Sequence, residues 1–316
     1  MTLSISPLGA FRAQLGECPV WDWETGMLWL VDGRAGLIVA LDPETGEVRR
    51  RIALPAPVGS FALNDDGRLV VALRRSIALV DPVTSAVETL AELEVDHPNL
   101  RLNDGVVLPD GSFLMGTMHI FREPGEAPLG GLYRLSPDGA TVKLATGIGV
   151  TNGPRMGPDG CLYVCDSAAR RILRFGIGED WSLEAPEIFA TTDALDSAPD
   201  GCVFDAQGIL WTALVHAGAL AGFDPQGRLV RRIEVPVAHP ASLCIGGPEG
   251  DRIFVTSISD SGRLRAQGPL DGNVLRITGA GVWAPQTRRA NIRGRGRQDI
   301  QVAADLPDAL VQNACC

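Results

Sequence analysis

The sequence has 316 residues, 45% of them hydrophobic and 21% charged, with a formal net charge of −10. Such a chain has ample material for a core, and its length suits either two ordinary domains or one large all-β domain. The acidic balance gives no electrostatic reason to expect nucleic acid or an anionic membrane as partner.

Met1 to Pro7 carries neither a charged stretch nor an apolar one, so no signal peptide is expected. No apolar run approaches the ~20 residues that would span a bilayer. The expected compartment is the cytoplasm. The seven cysteines are an odd number and widely scattered, in a chain too large to need stapling. Cys161 and Cys165 flank the strand-like Leu162-Tyr163-Val164. At ~3.3 Å per residue their Cα atoms lie roughly 13 Å apart, beyond disulfide reach. Reduced, buried thiols are expected.

From the N-terminus onward, turn signals recur: Asp42-Pro43-Glu44-Thr45-Gly46, Asn64-Asp65-Asp66-Gly67, Pro109-Asp110-Gly111, Pro158-Asp159-Gly160, Asp205-Ala206-Gln207-Gly208 and Asp224-Pro225-Gln226-Gly227. Proline presets the first central residue of a turn, and glycine takes the positive φ that follows. Between the turns lie strand-length runs such as Met27–Val31, Leu69–Leu73, Cys161–Val164, Ile209–Thr212 and Arg252–Val255, rich in β-branched and aromatic residues. No stretch holds a helical period. The chain is predicted to be all-β.

Aligning the runs that precede Pro/Asp-Gly turns places Glu17, Val58, Asn103, Asn152, Asp200 and Pro240 at their entrances, spaced by 41, 45, 49, 48 and 40 residues. Six such units, each of about four strands, predict a six-bladed β-propeller with four-stranded blades. Its innermost strands all run the same way, so their entrances share one rim. Closing the ring requires Leu3 to Gln14 to complete the last blade, because an open ring leaves raw strand edges. Residues 1–285 are therefore expected to form a single propeller. Residues 286–316 are read as an Arg-rich, loosely ordered extension, with Arg288, Arg289, Arg293, Arg295 and Arg297 at its start.

Glu17, Asn152 and Asp200 together offer two carboxylates and a carboxamide oxygen, hard donors suited to a divalent cation. Taken singly, Asn103-Asp104-Gly105, Asn152-Gly153 and Asp200-Gly201 also read as ordinary turns. Glu17 has no turn role to explain it. Arg101, two residues before Asn103, lies on the same side of its segment and carries a fork of donors for a polar ligand. His119 and His216 fall at strand ends, while His97 and His239 precede prolines and read as loop residues. There is no Gly-x-Ser-x-Gly elbow and no phosphate-binding glycine loop, so neither a serine hydrolase nor a nucleotide enzyme gains support.

The stretches Leu15–Trp21, Arg101–Gly105, Gly116-Thr117-Met118, Thr151–Pro154, Pro199-Asp200-Gly201, Leu210–Ala213, Gly246-Gly247-Pro248 and Phe254–Ser257 resemble the SMP-30/gluconolactonase/regucalcin-like family of sugar lactonases. That resemblance also implies a six-bladed propeller. It further implies one divalent ion (Ca²⁺, Zn²⁺, Mn²⁺, Mg²⁺ or Fe²⁺) held by Glu17, Asn152 and Asp200. Asp200 is implied as general base, and Arg101 and Asn103 as contacts to the sugar. His119, in Gly116-Thr117-Met118-His119, joins the substrate residues in a form closer to bacterial enzymes acting on pentonolactones.

The implied reaction is hydrolysis of a small-molecule sugar lactone, an arabinono-, xylono- or gluconolactone, to the aldonic acid. The cation polarises the carbonyl and Asp200, or water held by the cation, attacks. A monomer or weak homo-oligomer is expected, with no nucleic-acid or membrane partner. The alternative is a non-catalytic calcium-binding propeller. Two departures stand out: Cys18 occupies a position where the family has a small residue such as glycine, and the Arg-rich end matches nothing in the family.

Overall fold

The computed structural model describes residues 2–93, 97–285, 287–294 and 300–302. In chain order its strands are β1 (Ser4–Arg12), β2 (Gly16–Asp22), β3 (Met27–Asp32), β4 (Leu37–Leu41), β5 (Val48–Ala53), β6 (Ser60–Leu63), β7 (Leu69–Ala72), β8 (Ser76–Val80) and β9 (Val87–Glu92). Then come β10 (Leu100–Val107), β11 (Phe113–His119), β12 (Gly130–Leu135), β13 (Thr141–Ile148), β14 (Thr151–Met156), β15 (Leu162–Asp166), β16 (Arg171–Phe175) and β17 (Glu187–Thr191). The rest are β18 (Pro199–Phe204), β19 (Leu210–Leu214), β20 (Ala219–Phe223), β21 (Leu229–Glu234), β22 (Pro240–Gly246), β23 (Arg252–Ser257), β24 (Asn273–Thr278) and the short β25 (Ile300–Val302). Two single 3₁₀ turns, Ser167–Ala169 and Asp193–Leu195, are the only helical pieces among the described residues.

The strands form six antiparallel four-stranded sheets in sequence order, a six-bladed β-propeller as expected. One sheet gains β25 as a fifth, parallel strand beside β13. The turns between strands work by a repeated device. The Asp42 carboxylate accepts the N–H groups of Glu44 and Thr45, both at 3.0 Å. Asp205 does the same for Gln207 and Ile209, and Asp224 for Gln226 and Arg228. Each carboxylate thus satisfies backbone donors that a tight turn leaves unpaired.

The six blades divide into two compact units. One comprises Met1–Val58 and Thr192–Thr287. Its three blades are β2 to β5, β18 to β21, and β22 to β24 with β1. The N-terminal strand completes the last of these, Ser4 to Pro7 pairing with Thr278 to Leu275. Leu8 and Phe11 of β1 join Trp21, Leu28 and Phe254 in one buried cluster. Burying a side chain of this size is worth about 1.5–3 kcal/mol relative to leaving it exposed.

The second unit comprises Gly59–Thr191 and Arg288–Cys316. Its blades are β6 to β9, β10 to β13, and β14 to β17. The arginine-rich stretch expected to be loose is held here over Ala290–Arg293. Ala290 exchanges backbone hydrogen bonds with Leu63 and Asp65, each 2.8 Å. The Asn64 carboxamide accepts the Ile292 N–H at 2.9 Å and donates to the Ile292 carbonyl at 3.1 Å. Ala290 and Ile292 are 0% exposed and sit with Ala62, Leu90 and Phe113. Residues 295–299 and 303–316 of that extension lie outside the described residues.

Among the described residues Cys18, Cys161, Cys165, Cys202 and Cys244 form no disulfide, and all but the half-buried Cys161 are buried, as expected; Cys315 and Cys316 lie outside the described residues. No helix among the described residues is long and apolar enough to cross a membrane.

Candidate active site

The residues that looked like turn formers are strand residues placed at β-bulges. In four innermost strands, four residues stand against three on the neighbouring strand: Glu17 to Val20 against Val31 to Trp29, Leu102 to Gly105 against Thr117 to Met115, Asn152 to Arg155 against Cys165 to Tyr163, and Pro199 to Cys202 against Leu214 to Thr212; in β22, Pro240 to Ser242 stand against Ser257 and Thr256. The innermost strand β6 pairs with β7 without any such shift. A bulge re-aims the side chains around its extra residue, and bulges gather beside active sites for that reason. Glu17, Asn103, Asn152 and Asp200 all belong to these four bulges.

The bulges also explain Cys18. The residue after Asn152 is Gly153 at φ 49°, and the residue after Glu17 is Cys18 at φ 46°. The same left-handed step occurs in both blades, and an L side chain there carries a cost of roughly 1–2 kcal/mol.

In the second unit, polar side chains form a continuous chain. Arg101 donates through Nη1 to the Asn103 Oδ1 at 2.7 Å and to the Leu102 carbonyl at 2.9 Å. Asn103 Nδ2 donates to Asn152 Oδ1 and to the Thr151 carbonyl. Asn152 Nδ2 donates in turn to Ser167 Oγ at 2.9 Å. Asn152 therefore presents its carbonyl oxygen, not its amide, toward Asn103. Beneath this chain the buried Asp104 carboxylate accepts the Gly153 N–H at 2.9 Å and the Gly105 N–H at 2.8 Å. A methyl group at Gly116 would overlap the Thr151 side chain, so this glycine lets β11 approach the bulge.

In the first unit, Glu17 is half-buried in β2 and Asp200 is 7% exposed in β18. Asp32, the last residue of β3, braces the start of β2. It accepts the N–H groups of Gln14 at 2.9 Å and Leu15 at 3.1 Å, and that of Ala35 at 3.2 Å. The second unit repeats this: Asp166, the last residue of β15, accepts the N–H groups of Gly149 at 3.2 Å and Val150 at 3.5 Å, and Arg171 at 3.1 Å. Gln14 and Leu15 precede Glu17 as Gly149 and Val150 precede Asn152. The Asp200 strand lacks this carboxylate, since Leu214 pairs with Pro199; there Ser197 Oγ accepts the His216 N–H at 2.9 Å.

His119, the remaining residue expected at the substrate, ends β11, is 2% exposed and is grouped with His97 and Glu126. Asp32, Asp104, Asp166 and Ser167 were not singled out in the sequence, although Asp32 and Asp166 each close an apolar run at the same point of the repeat.

A sequence model of the SMP-30/Gluconolactonase/LRE-like region matches residues 15–259. A regucalcin of Xenopus laevis is 32% identical over 277 residues, covering 85% of this chain and 92% of its own length. A 6-deoxy-6-sulfogluconolactonase of Pseudomonas putida is 31% identical over 265 residues, with coverages of 83% and 90%. Among solved structures, the calcium-binding protein regucalcin of Agrobacterium tumefaciens aligns with a TM-score of 0.80 at 27% identity, covering 90% of this chain and 96% of that one. Fold and relatives together define a six-bladed propeller enzyme of the lactonase class. The chain belongs to the SMP-30/gluconolactonase/LRE-like family.

Proposed function

We propose that this protein hydrolyses a sugar lactone, an aldonolactone of the gluconolactone or pentonolactone type, to its aldonic acid with the help of a divalent cation. The observation that carries the reading is the chain Arg101–Asn103–Asn152–Ser167. It couples two residues suited to sugar hydroxyls directly to a carboxamide oxygen suited to a metal. The relative named for a sulfogluconolactone points to the same substrate class.

The residues present fit a cation. Glu17 and Asp200 supply carboxylate oxygens, and Asn152 supplies Oδ1 because its Nδ2 is committed to Ser167. All are hard donors of the type that calcium, magnesium and manganese prefer. When bound, the cation supplies Lewis acidity at the lactone carbonyl. Asp200 holds the attacking water and receives its proton as the new C–O bond forms. The ring C–O bond then breaks, and the ring oxygen leaves as a hydroxyl after taking up a proton. Arg101 and Asn103 hold the substrate hydroxyls and fix the carbonyl's approach.

The test is a pH-indicator screen of aldonolactones, using EDTA-stripped protein and single added metals. Turnover should need added metal, and Asp200→Asn should lower it by about 10²–10⁴-fold. Wild-type turnover by Asp200→Asn would overturn the assignment.

A further inference from the structure

His97, His119 and Glu126 come from three separate segments of the second unit, yet one ligating atom of each lies within 4.8 Å of the others. His97 lies in the turn before β10, His119 ends β11, and Glu126 sits in the connection from β11 to β12. The segments are tied together by backbone. Ile120 donates its N–H to the Asn99 carbonyl at 2.6 Å, and Leu100 donates to the His97 carbonyl at 3.1 Å. Glu126 is fixed from behind, since its Oε2 accepts the Glu123 N–H at 3.0 Å while Oε1 meets His97 Nε2 at 2.9 Å. The two imidazoles stand edge to face with centroids 5.8 Å apart.

We propose that these three side chains form a cation site of their own, distinct in chemistry from the oxygen-lined one. Two imidazole nitrogens are borderline donors, and with one carboxylate beside them they select zinc and its transition-metal neighbours over calcium or magnesium. Ligands on a tetrahedral zinc lie ~3.3 Å apart, given zinc–nitrogen distances of ~2.0 Å. The His97–Glu126 pair, at 2.9 Å, opens slightly to reach that spacing, and the other pairs lie within 4.8 Å. Three protein ligands leave one position for water.

The metal-free arrangement also says what loading requires. Asn99 donates its N–H to His97 Nδ1 at 3.2 Å, so the imidazole proton sits on Nε2 and points at Glu126. A cation held at Nε2 would take that proton's place beside Glu126.

The experiment uses the full-length protein stripped with EDTA and freed of chelator. Zn²⁺ is titrated in competition with a chromophoric indicator, and Co²⁺ is added in parallel to read the visible ligand-field bands of a nitrogen-containing site. One equivalent of Zn²⁺ should bind in the wild type and remain in Asp200→Asn, so failure of the lactonase reading leaves this result untouched. Loss of an outer-shell partner costs about 10–100-fold in metal affinity, so loss of a direct ligand should cost no less. His97→Ala and Glu126→Gln, both at half-buried positions, should each weaken Zn²⁺ by tenfold or more and abolish the Co²⁺ bands. Absence of zinc binding in the wild type would overturn the proposal, as would wild-type affinity in both variants. So would zinc that disappears in Asp200→Asn while surviving in His97→Ala.

Discussion

The Asp104 carboxylate accepts the Gly153 N–H at 2.9 Å, so the side chain that follows Asn103 holds the peptide that follows Asn152. Two bulges on neighbouring blades are locked to each other through one buried acid. In Asp104→Asn an amide NH₂ must face one of the two N–H groups that the carboxylate now accepts. A buried donor left unsatisfied costs about 1–3 kcal/mol. The urea midpoint should drop accordingly, and lactonase turnover should fall further than stability alone explains when measured well below the unfolding transition. Full turnover in a destabilised Asp104→Asn would separate the lock from catalysis.

Asp32 and Asp166 make the same prediction for the other side of the bulges. We expect them to act as positioning residues, through the backbone that leads into Glu17 and Asn152. Asp32→Asn and Asp166→Asn should weaken binding of the catalytic cation by about tenfold, in the range of outer-shell effects. Asp224→Asn is the control, because Asp224 grips the Gln226 and Arg228 N–H groups in an ordinary turn. All three variants should lose stability, but only the first two should lose calcium affinity in a titration. Equal calcium affinity across the set would reduce Asp32 and Asp166 to structural supports.

The left-handed conformation of Cys18 can be probed by shape. Glycine adopts this φ without strain, while a β-branched residue resists it strongly. Cys18→Gly should keep turnover and change stability by no more than about 1 kcal/mol, relief of strain offsetting the backbone entropy of glycine. Cys18→Val should cost more than that and reduce turnover by displacing Glu17. Chemical denaturation and steady-state rates of the two variants decide it.

Acid should unfold the protein through its turns. The Thr45 N–H above all, then the Arg49 guanidinium and the Glu44 N–H, hold the Asp42 carboxyl down to about 2 from 3.8. A folded value below the unfolded one means the stabilisation is complete above about pH 4 and is lost as pH falls toward 2. Asp138 is lowered in the same direction, chiefly by the Ser136 hydroxyl. Asp159 is lowered too: burial opposes it, but the Cys161 N–H, Arg174 and Tyr163 outweigh that. Melting temperature should be flat above about pH 5 and fall steeply below 4. Asp42→Asn should be less stable near neutrality and shallower in its acid decline; an unchanged decline would mean that other groups set it.

The repeat was legible because its signals are local. Asp42-Pro43-Glu44-Thr45-Gly46 carries its own turn chemistry, and Met27–Val31 its own strand preference, so blade number and strand content follow from short windows. The closing role of Leu3 to Gln14 followed from the need to cover an edge, and β1 pairs with β24 as that reasoning requires. Asn103, Asn152 and Asp200 each also read locally as turn residues, because a bulge and a turn ask for the same Asx-Gly or Gly-Pro pairs. Only cross-strand register tells them apart. Asp32 and Asp166 were invisible for the same reason, since each serves N–H groups on a neighbouring strand. The grouping of His119 with His97 and Glu126 was not legible, because Glu126 lies in an aperiodic connection that no pattern pairs with it. In the Arg-rich stretch, Ala290 and Ile292 are only two alternating apolar residues among arginines, too few to announce a docked segment.

Pairing of Ser4 with Thr278 has a consequence for the order of biosynthesis. A chain emerging from the ribosome releases β1 first, yet the strand it must join is among the last to appear. Until then β1 has no partner strand, and Leu8 and Phe11 lack the Phe254 and Val274 side of their cluster. Gly9 and Arg12 within this strand suit a segment that must wait without sticking to its neighbours. Ring closure therefore waits for β24, and a bulky N-terminal fusion should hinder it more than a C-terminal one.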